Sequence, residues 1–140
     1  MVFHQPREKG MSTVSPSQIE TPLILAIDIG TTAARTIVFD RLGRAVEALE
    51  AREAHEILTT TEGTSEADPD ALLDVVWRCI DRVFSGRGPF APQISGVGVC
   101  TFVGNILGVD KGGQAITPLM TYADTRAGNE VAGPHTEWKK

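Results

Sequence analysis

The sequence predicts an α/β or α+β layer, one helix packed against a sheet. Three observations carry this. Two short apolar runs rich in branched residues, LILAIDIG and ARTIVFD, flank a polar loop. One amphipathic stretch, ALLDVVWRCIDRVF, follows further on, and strand-like runs resume after it in ISGVGVCTF and NILGVD. At 140 residues the chain has the length of one domain and not of two full ones. Its 41% hydrophobic and 22% charged residues are those of a globular protein, outside the disordered, collagen-like and disulfide-framework classes.

The first twenty residues mix charge, Pro and Ser and lack the apolar stretch of a secretory signal. Residues 1–21 therefore read as a flexible tail, with Met11 an alternative start. The run from Leu23 to Gly30 has the continuous apolar character of a strand buried on both faces. ARTIVFD closes at Asp40, where Arg41-Leu42-Gly43-Arg44 supplies a turn, so the two runs predict a hairpin meeting at the loop Asp28 to Thr32. AVEALEAREAHEIL is ambiguous: its Ala, Glu and Leu content favours a helix, its place after a turn a third antiparallel strand. Asp68-Pro69 is an N-cap and first-turn pair opening a helix whose stripe is Leu72, Val76, Cys79, Ile80 and Val83, with Trp77 read as core. Asp110-Lys111-Gly112-Gly113 repeats the turn grammar of Asp40-Arg41-Leu42-Gly43, each after a run ending in Asp. The tail AGNEVAGPHTEWKK begins as a helix and is broken at Gly133-Pro134.

Charge and composition exclude some functions. Thirteen basic against eighteen acidic side chains give a formal net charge of -5, which gives no support to a general affinity for nucleic acid or an anionic membrane. No apolar run approaches the roughly 18 residues of a membrane span. Cys79 and Cys100 stand apart, with no CxxC pair and no nearby His at ligand spacing, so neither zinc nor a disulfide is indicated and a reducing cytoplasm is the simplest compartment. Both read as small buried hydrophobes. His4, His55 and His135 are scattered and carry no assigned role.

The pattern with most chemical content is Asp28-Ile29-Gly30-Thr31-Thr32, followed by Arg35. Glycine permits close backbone approach, successive N–H groups and two hydroxyls suit phosphate oxygens, and an Asp at a strand end can hold a water of Mg²⁺. The same residues also make an ordinary turn, with Asp28 and the threonines capping backbone groups. Downstream, Tyr122, Asp124 and Arg126 allow two readings as well: a local ion pair at a strand end, or paired hydrogen bonds to a polyol with the ring on its carbon face.

DIGTTAARTIVFD, EADPDALLDVVWRCI, ISGVGVCTF and ILGVDKGGQAITPLMTYADTRA together resemble, in order, the N-terminal part of the FGGY carbohydrate kinases, which include glycerol kinase, xylulokinase and gluconokinase. The resemblance covers about Leu23 to Ala127, so residues 22–127 would be the N-terminal part of the first kinase domain and 128–140 a truncated tail. It implies a partial ribonuclease H-like, actin-like ATPase domain that begins with a three-stranded antiparallel meander, which settles the ambiguous segment as a strand. It implies ATP and Mg²⁺ as cofactors, with Asp28 the metal-associated carboxylate, Gly30, Thr31 and Thr32 facing the β- and γ-phosphates, and Arg35 supporting them. Phe102 to Asn105, with Tyr122, Asp124 and Arg126, would line the pocket of a sugar or sugar acid. Where the family's glycerol kinases place Arg-Glu and its xylulokinases Met-His, this chain has Val103 and Gly104, leaving Asn105 as the nearest polar candidate; it is equally placed to cap a turn. The phrasing TFVGNILGVD and TYADTR is most similar to the gluconokinase-like branch. The family's catalytic base and second lobe lie downstream of Lys140, so no catalytic residue is assigned here. The expectation is a piece inactive alone, or a sugar- or nucleotide-binding fragment acting with a separately encoded remainder.

Overall fold

In the computed structural model, described for residues 11–85 and 90–128, Leu23–Ile29 (β2), Ala33–Phe39 (β3) and Ala45–Ala54 (β4) form an antiparallel meander. The segment that propensity assigned equally to helix is thus a strand of ten residues. Thr13–Val14 (β1) pairs with β4 in parallel, and Ile94–Thr101 (β7) pairs with β2 in parallel, giving the sheet order β1-β4-β3-β2-β7. A second, small sheet joins Leu58–Thr59 (β5), Ser65–Ala67 (β6) and Leu119–Met120 (β8) in that order.

Among the described residues the one α-helix, α1 (Pro69–Phe84), starts where expected. Asp68 accepts from the N–H groups of Asp70 at 2.9 Å and Ala71 at 3.1 Å, and Pro69 occupies the first turn, where its missing N–H costs nothing. Such a cap is worth about 1 kcal/mol. The buried stripe is Val75, Val76, Cys79 and Val83, with Leu72 and Ile80 half-buried at its margins. It packs on β3 and β4. Leu23, Val38, Val46, Leu49, Cys79 and Val83 are the heart of this core, all at 2% exposure or less. Arg78 and Arg82 tie the helix to β4 through Glu53, at 2.7 and 2.6 Å.

The predicted turn grammar is realised twice. Asp40 is buried, and its Oδ1 accepts from the N–H groups of Leu42 and Arg44, both at 3.0 Å, while Gly43 takes the left-handed φ of 74°. Asp110 repeats this with Gly112 and Gln114, both at 2.8 Å, and Gly113 at φ 80°. The Arg44 guanidinium closes on Asp40 at 2.6 Å and lowers its carboxyl to a pKa of about 2.

Five expectations need correction. β2 is buried on one face only: Leu23, Leu25 and Ile27 face α1 and the core, while Ile24 and Asp28 are exposed, because among the described residues no layer covers the other face. NILGVD is not a strand; it contributes only single bridges, Ile106 to Met120 and Val109 to Ala115. The segment before residue 22 is anchored where described, since β1 extends the sheet and Val14 is 4% exposed in the core. Trp77 is 55% exposed, on the side of α1 away from Val76 and Val83. Cys79 is buried as expected, but Cys100 is exposed, because it lies beside Asp28 on the sheet face opposite α1, which no layer covers among the described residues. The expected final helix and the residues His4 and His135 lie outside the described residues. Among the described residues, no helix is long and apolar enough to cross a membrane.

Candidate functional site

The turn between β2 and β3 places Thr31 and Thr32 at the surface. It is closed by the Gly30 N–H donating to the Ala33 carbonyl at 3.0 Å. Gly30 is not in the left-handed region, and a Cβ there would meet nothing nearer than the Ala33 carbonyl at 3.4 Å. The turn itself therefore does not demand glycine. Asp28 is exposed on the sheet face opposite α1, and among the described residues no hydrogen bond or ion pair engages its carboxylate. Arg35 lies directly across from Asp28 in the ladder, but its guanidinium turns to Glu50 on β4, at 2.7 Å. Arg52 continues the same cross-strand row and is exposed. Sequence reading passed over Arg52, which only the register of β4 reveals.

The other candidates are joined to this turn by a chain of contacts. The Phe102 N–H donates to the Ile29 carbonyl at 3.0 Å, so the segment after β7 starts beside the loop. The Asn105 amide donates to the Phe102 carbonyl and, through Oδ1, accepts from the Tyr122 N–H at 3.3 Å. Asn105 thus clips two loops together and keeps one further N–H. Tyr122 is 67% exposed, and Gly104, with φ 79°, lies so near it that a Cβ would come within 3.0 Å of the Tyr122 Cβ. A bulkier residue at Gly104 would need both a new backbone conformation and a displaced Tyr122.

Asp124 and Arg126 are engaged within the chain. Arg126 donates to both Asp124 oxygens, from Nε at 3.1 and 3.0 Å and from a terminal nitrogen at 2.6 Å, and reaches Glu66 at 2.8 Å. Asp124 also accepts from the Ser65 N–H at 3.0 Å. The guanidinium, followed by the Ser65 N–H, holds the Asp124 carboxyl far below the usual carboxylate range, and the two carboxylates raise Arg126 in turn.

His55, given no role from sequence, is half-buried against the loop: its Nε2 lies 2.7 Å from the Gly30 carbonyl and its ring stacks on Phe102 with centroids 6.4 Å apart. The clue lay in the meander, which returns the end of an antiparallel third strand to the β2–β3 turn.

The donor set suits Mg²⁺ bound mostly through phosphate and water. Asp28 is a single free carboxylate, and among the described residues no group of three His, Cys, Asp or Glu side chains forms a metal cage. Asp28 would be the group holding the ion's water.

A three-stranded meander with a parallel fourth strand, a helix on one face and an Asp-x-Gly-Thr-Thr turn at the strand ends defines part of an actin-like ATPase domain. The fold is shared with the crystal structure of gluconate kinase from Lactobacillus acidophilus, with a TM-score of 0.67 at 24% identity over 78% of this chain and 21% of that one. Residues 23–138 match the N-terminal domain of the FGGY family of carbohydrate kinases, and the chain belongs to that family. Among its relatives are the apulose kinase of Pectobacterium atrosepticum, 33% identical over 108 residues (76% of this chain, 21% of the relative), and the autoinducer-2 kinase of Enterobacter sp. (strain 638), 29% identical over 109 residues (78% and 20%). The chain spans about a fifth of the length of these relatives.

Proposed function

We propose that this chain supplies the phosphate loop and one wall of the sugar pocket of an ATP-dependent carbohydrate kinase, and that phosphoryl transfer requires further protein, in the same or a separate chain. The observation that carries the reading is the β2–β3 turn. Its threonines are exposed, its glycine is not required by the turn, and beside it stands the Asp28 carboxylate, unpaired among the described residues. A turn serving only as punctuation would have engaged Asp28 and the threonines in capping.

In this reading Thr31 and Thr32 donate to the β- and γ-phosphate oxygens of ATP, and Asp28 holds a water of Mg²⁺. The metal's chemistry is charge neutralisation on the transferring phosphoryl group. Arg35 supports the phosphates once it leaves Glu50 or shares its donors. Phe102 and Tyr122 present aromatic surface to a sugar or sugar acid, and Asn105 offers its remaining N–H. Asp124 and Arg126 keep the pocket wall in register with β6, and any contact they make to a hydroxyl is additional to that. Nothing here assigns a proton acceptor for the substrate hydroxyl. The relatives are named for different substrates, and a gluconate-like acid or a ketopentose is the finer reading taken from the Phe102 to Arg126 segment.

The reading is tested with the purified chain. Calorimetry should show weak MgATP binding that is lost in Asp28→Asn. A coupled assay with gluconate, xylulose, ribulose and glycerol should show no turnover. Robust turnover by mass-verified material would overturn the division of labour, and absence of nucleotide binding would overturn the assignment of the turn.

A further inference from the structure

We infer that His55 is a positioning residue for the phosphate loop: it holds the carbonyls of Gly30 and Thr32 toward the scaffold and so leaves the Thr31 amide and both threonine hydroxyls facing outward. The inference rests on the phosphate-loop reading above and adds to it the device that shapes the loop.

The placement follows from topology. β4 runs antiparallel to β3 and ends with Ala54 opposite Ala33, so the next residue falls beside the β2–β3 turn. His55 then grips both ends of that turn. Its backbone N–H donates to the Thr32 carbonyl at 3.2 Å, and its Nε2 lies 2.7 Å from the Gly30 carbonyl. A carbonyl oxygen only accepts, so Nε2 carries a proton in this contact. Among the described residues Nδ1 is buried without a partner, which leaves the side chain a single polar purpose here.

Peptide planarity converts these bonds into a direction. In a trans peptide the C=O and the following N–H point opposite ways, so fixing the Gly30 carbonyl against His55 aims the Thr31 N–H away from it. The Ile29 carbonyl is likewise taken, by the Phe102 N–H at 3.0 Å. Three carbonyls that would repel a phosphate are therefore turned inward by His55 and Phe102. Among the described residues no hydrogen bond engages the Thr31 N–H or the two hydroxyls. The imidazole also stacks on Phe102 with the rings 20° from parallel, so the loop and the first residue of the proposed sugar wall share one support.

Two substitutions separate the donor from the ring. His55→Phe keeps a ring against Phe102 and removes the donor, whereas His55→Gln restores an N–H within reach of the Gly30 carbonyl. Backbone ¹⁵N relaxation and amide exchange at residues 30–33 are read without ligand, and affinity for magnesium tripolyphosphate is read from the Thr31 and Thr32 amide shifts. Expected are a loosened loop and roughly tenfold weaker binding in His55→Phe, the scale of one lost neutral hydrogen bond, and recovery to within about threefold in His55→Gln. Unchanged loop order and affinity in His55→Phe would overturn the clamp. If the unaltered chain fails to bind the probe, the phosphate-loop reading fails and the inference with it, while loop order still reports whether the bond itself matters. Should His55→Phe not fold, the ¹⁵N spectrum of the imidazole in the unaltered chain decides: an Nε2–H tautomer supports the clamp, and an Nδ1–H tautomer overturns it.

Discussion

The Arg126 guanidinium holds Asp124 with three hydrogen bonds of 2.6 to 3.1 Å, and the same Asp124 carboxylate accepts from the Ser65 N–H, fifty-nine residues earlier in the chain. The pair thus fastens the loop after β8 to β6, helped by Glu66 on Arg126 and by the Ser65 and Thr121 hydroxyls at 2.6 Å. Asp124→Asn removes the charge that organises this cluster. Amide exchange at Ser65 and Thr125 should rise by about tenfold or more, with the meander unaffected. Exchange mass spectrometry of the two proteins checks this. Equal protection of residues 63–67 would show that the clip is dispensable.

Acid should unfold the chain partly through Asp40. Its pKa falls from an ordinary 3.8 to about 2 because Arg44 and two backbone N–H groups stabilise the charged form. A carboxylate with a depressed folded-state pKa contributes stability that is fully present above its unfolded value and is lost as pH falls through the folded one. The Tm of the native chain should therefore drop steeply between about pH 4 and pH 2. Asp40→Asn should have a lower Tm at neutral pH, and the gap to the native chain should narrow across that window. A gap that stayed constant with pH would exclude Asp40 as a contributor.

Much of the fold was legible in local patterns, and the misses share one cause. The N-cap of α1 and both Asp-x-x-Gly turns depend on residues within a few positions of one another and formed as read, and the apolar stripe of α1 kept Val76, Cys79 and Val83 while Val75 joined it and Leu72 and Ile80 moved to its margins. β4 did not yield to propensity, because Ala, Glu and Leu there are overruled by pairing with β3 and by packing under α1. Trp77 and Cys100 were misplaced because apolar character does not say which face another layer will cover. At the site, the loop residues were visible as a motif. His55 was not, because its role depends on the register that returns the end of β4 to Gly30.

The two cysteines should report this layering directly. Cys79 is fully buried on the sheet-facing side of α1, its Sγ lies 3.7 Å from the Ala34 carbonyl, and burial pushes its thiol upward. Cys100 is exposed on β7. Brief alkylation under native conditions should modify Cys100 and spare Cys79, with both modified after unfolding in guanidinium. Peptide mapping distinguishes them. Early modification of Cys79 would mean that α1 does not stay docked on β3 and β4.

The face beside α1 carries the last prediction. Val97 and Val99 pair with Leu25 and Ile27 and so project to the same side of the sheet, but α1 covers β3 and β4 and leaves them 59% and 65% exposed. A β-branched pair on an open edge strand favours association between copies or coverage by further protein. Replacing both by Thr keeps the branching that suits a strand and removes apolar surface already facing water, so stability of the isolated chain should change by no more than about 0.5 kcal/mol. Its concentration-dependent light scattering should fall. In a longer protein in which further chain packs against this face, the same double substitution should instead destabilise, by roughly 1 to 2 kcal/mol for each buried hydroxyl left without a partner. Urea unfolding of the two forms side by side separates these outcomes, and an equal effect in both would mean that nothing covers β7.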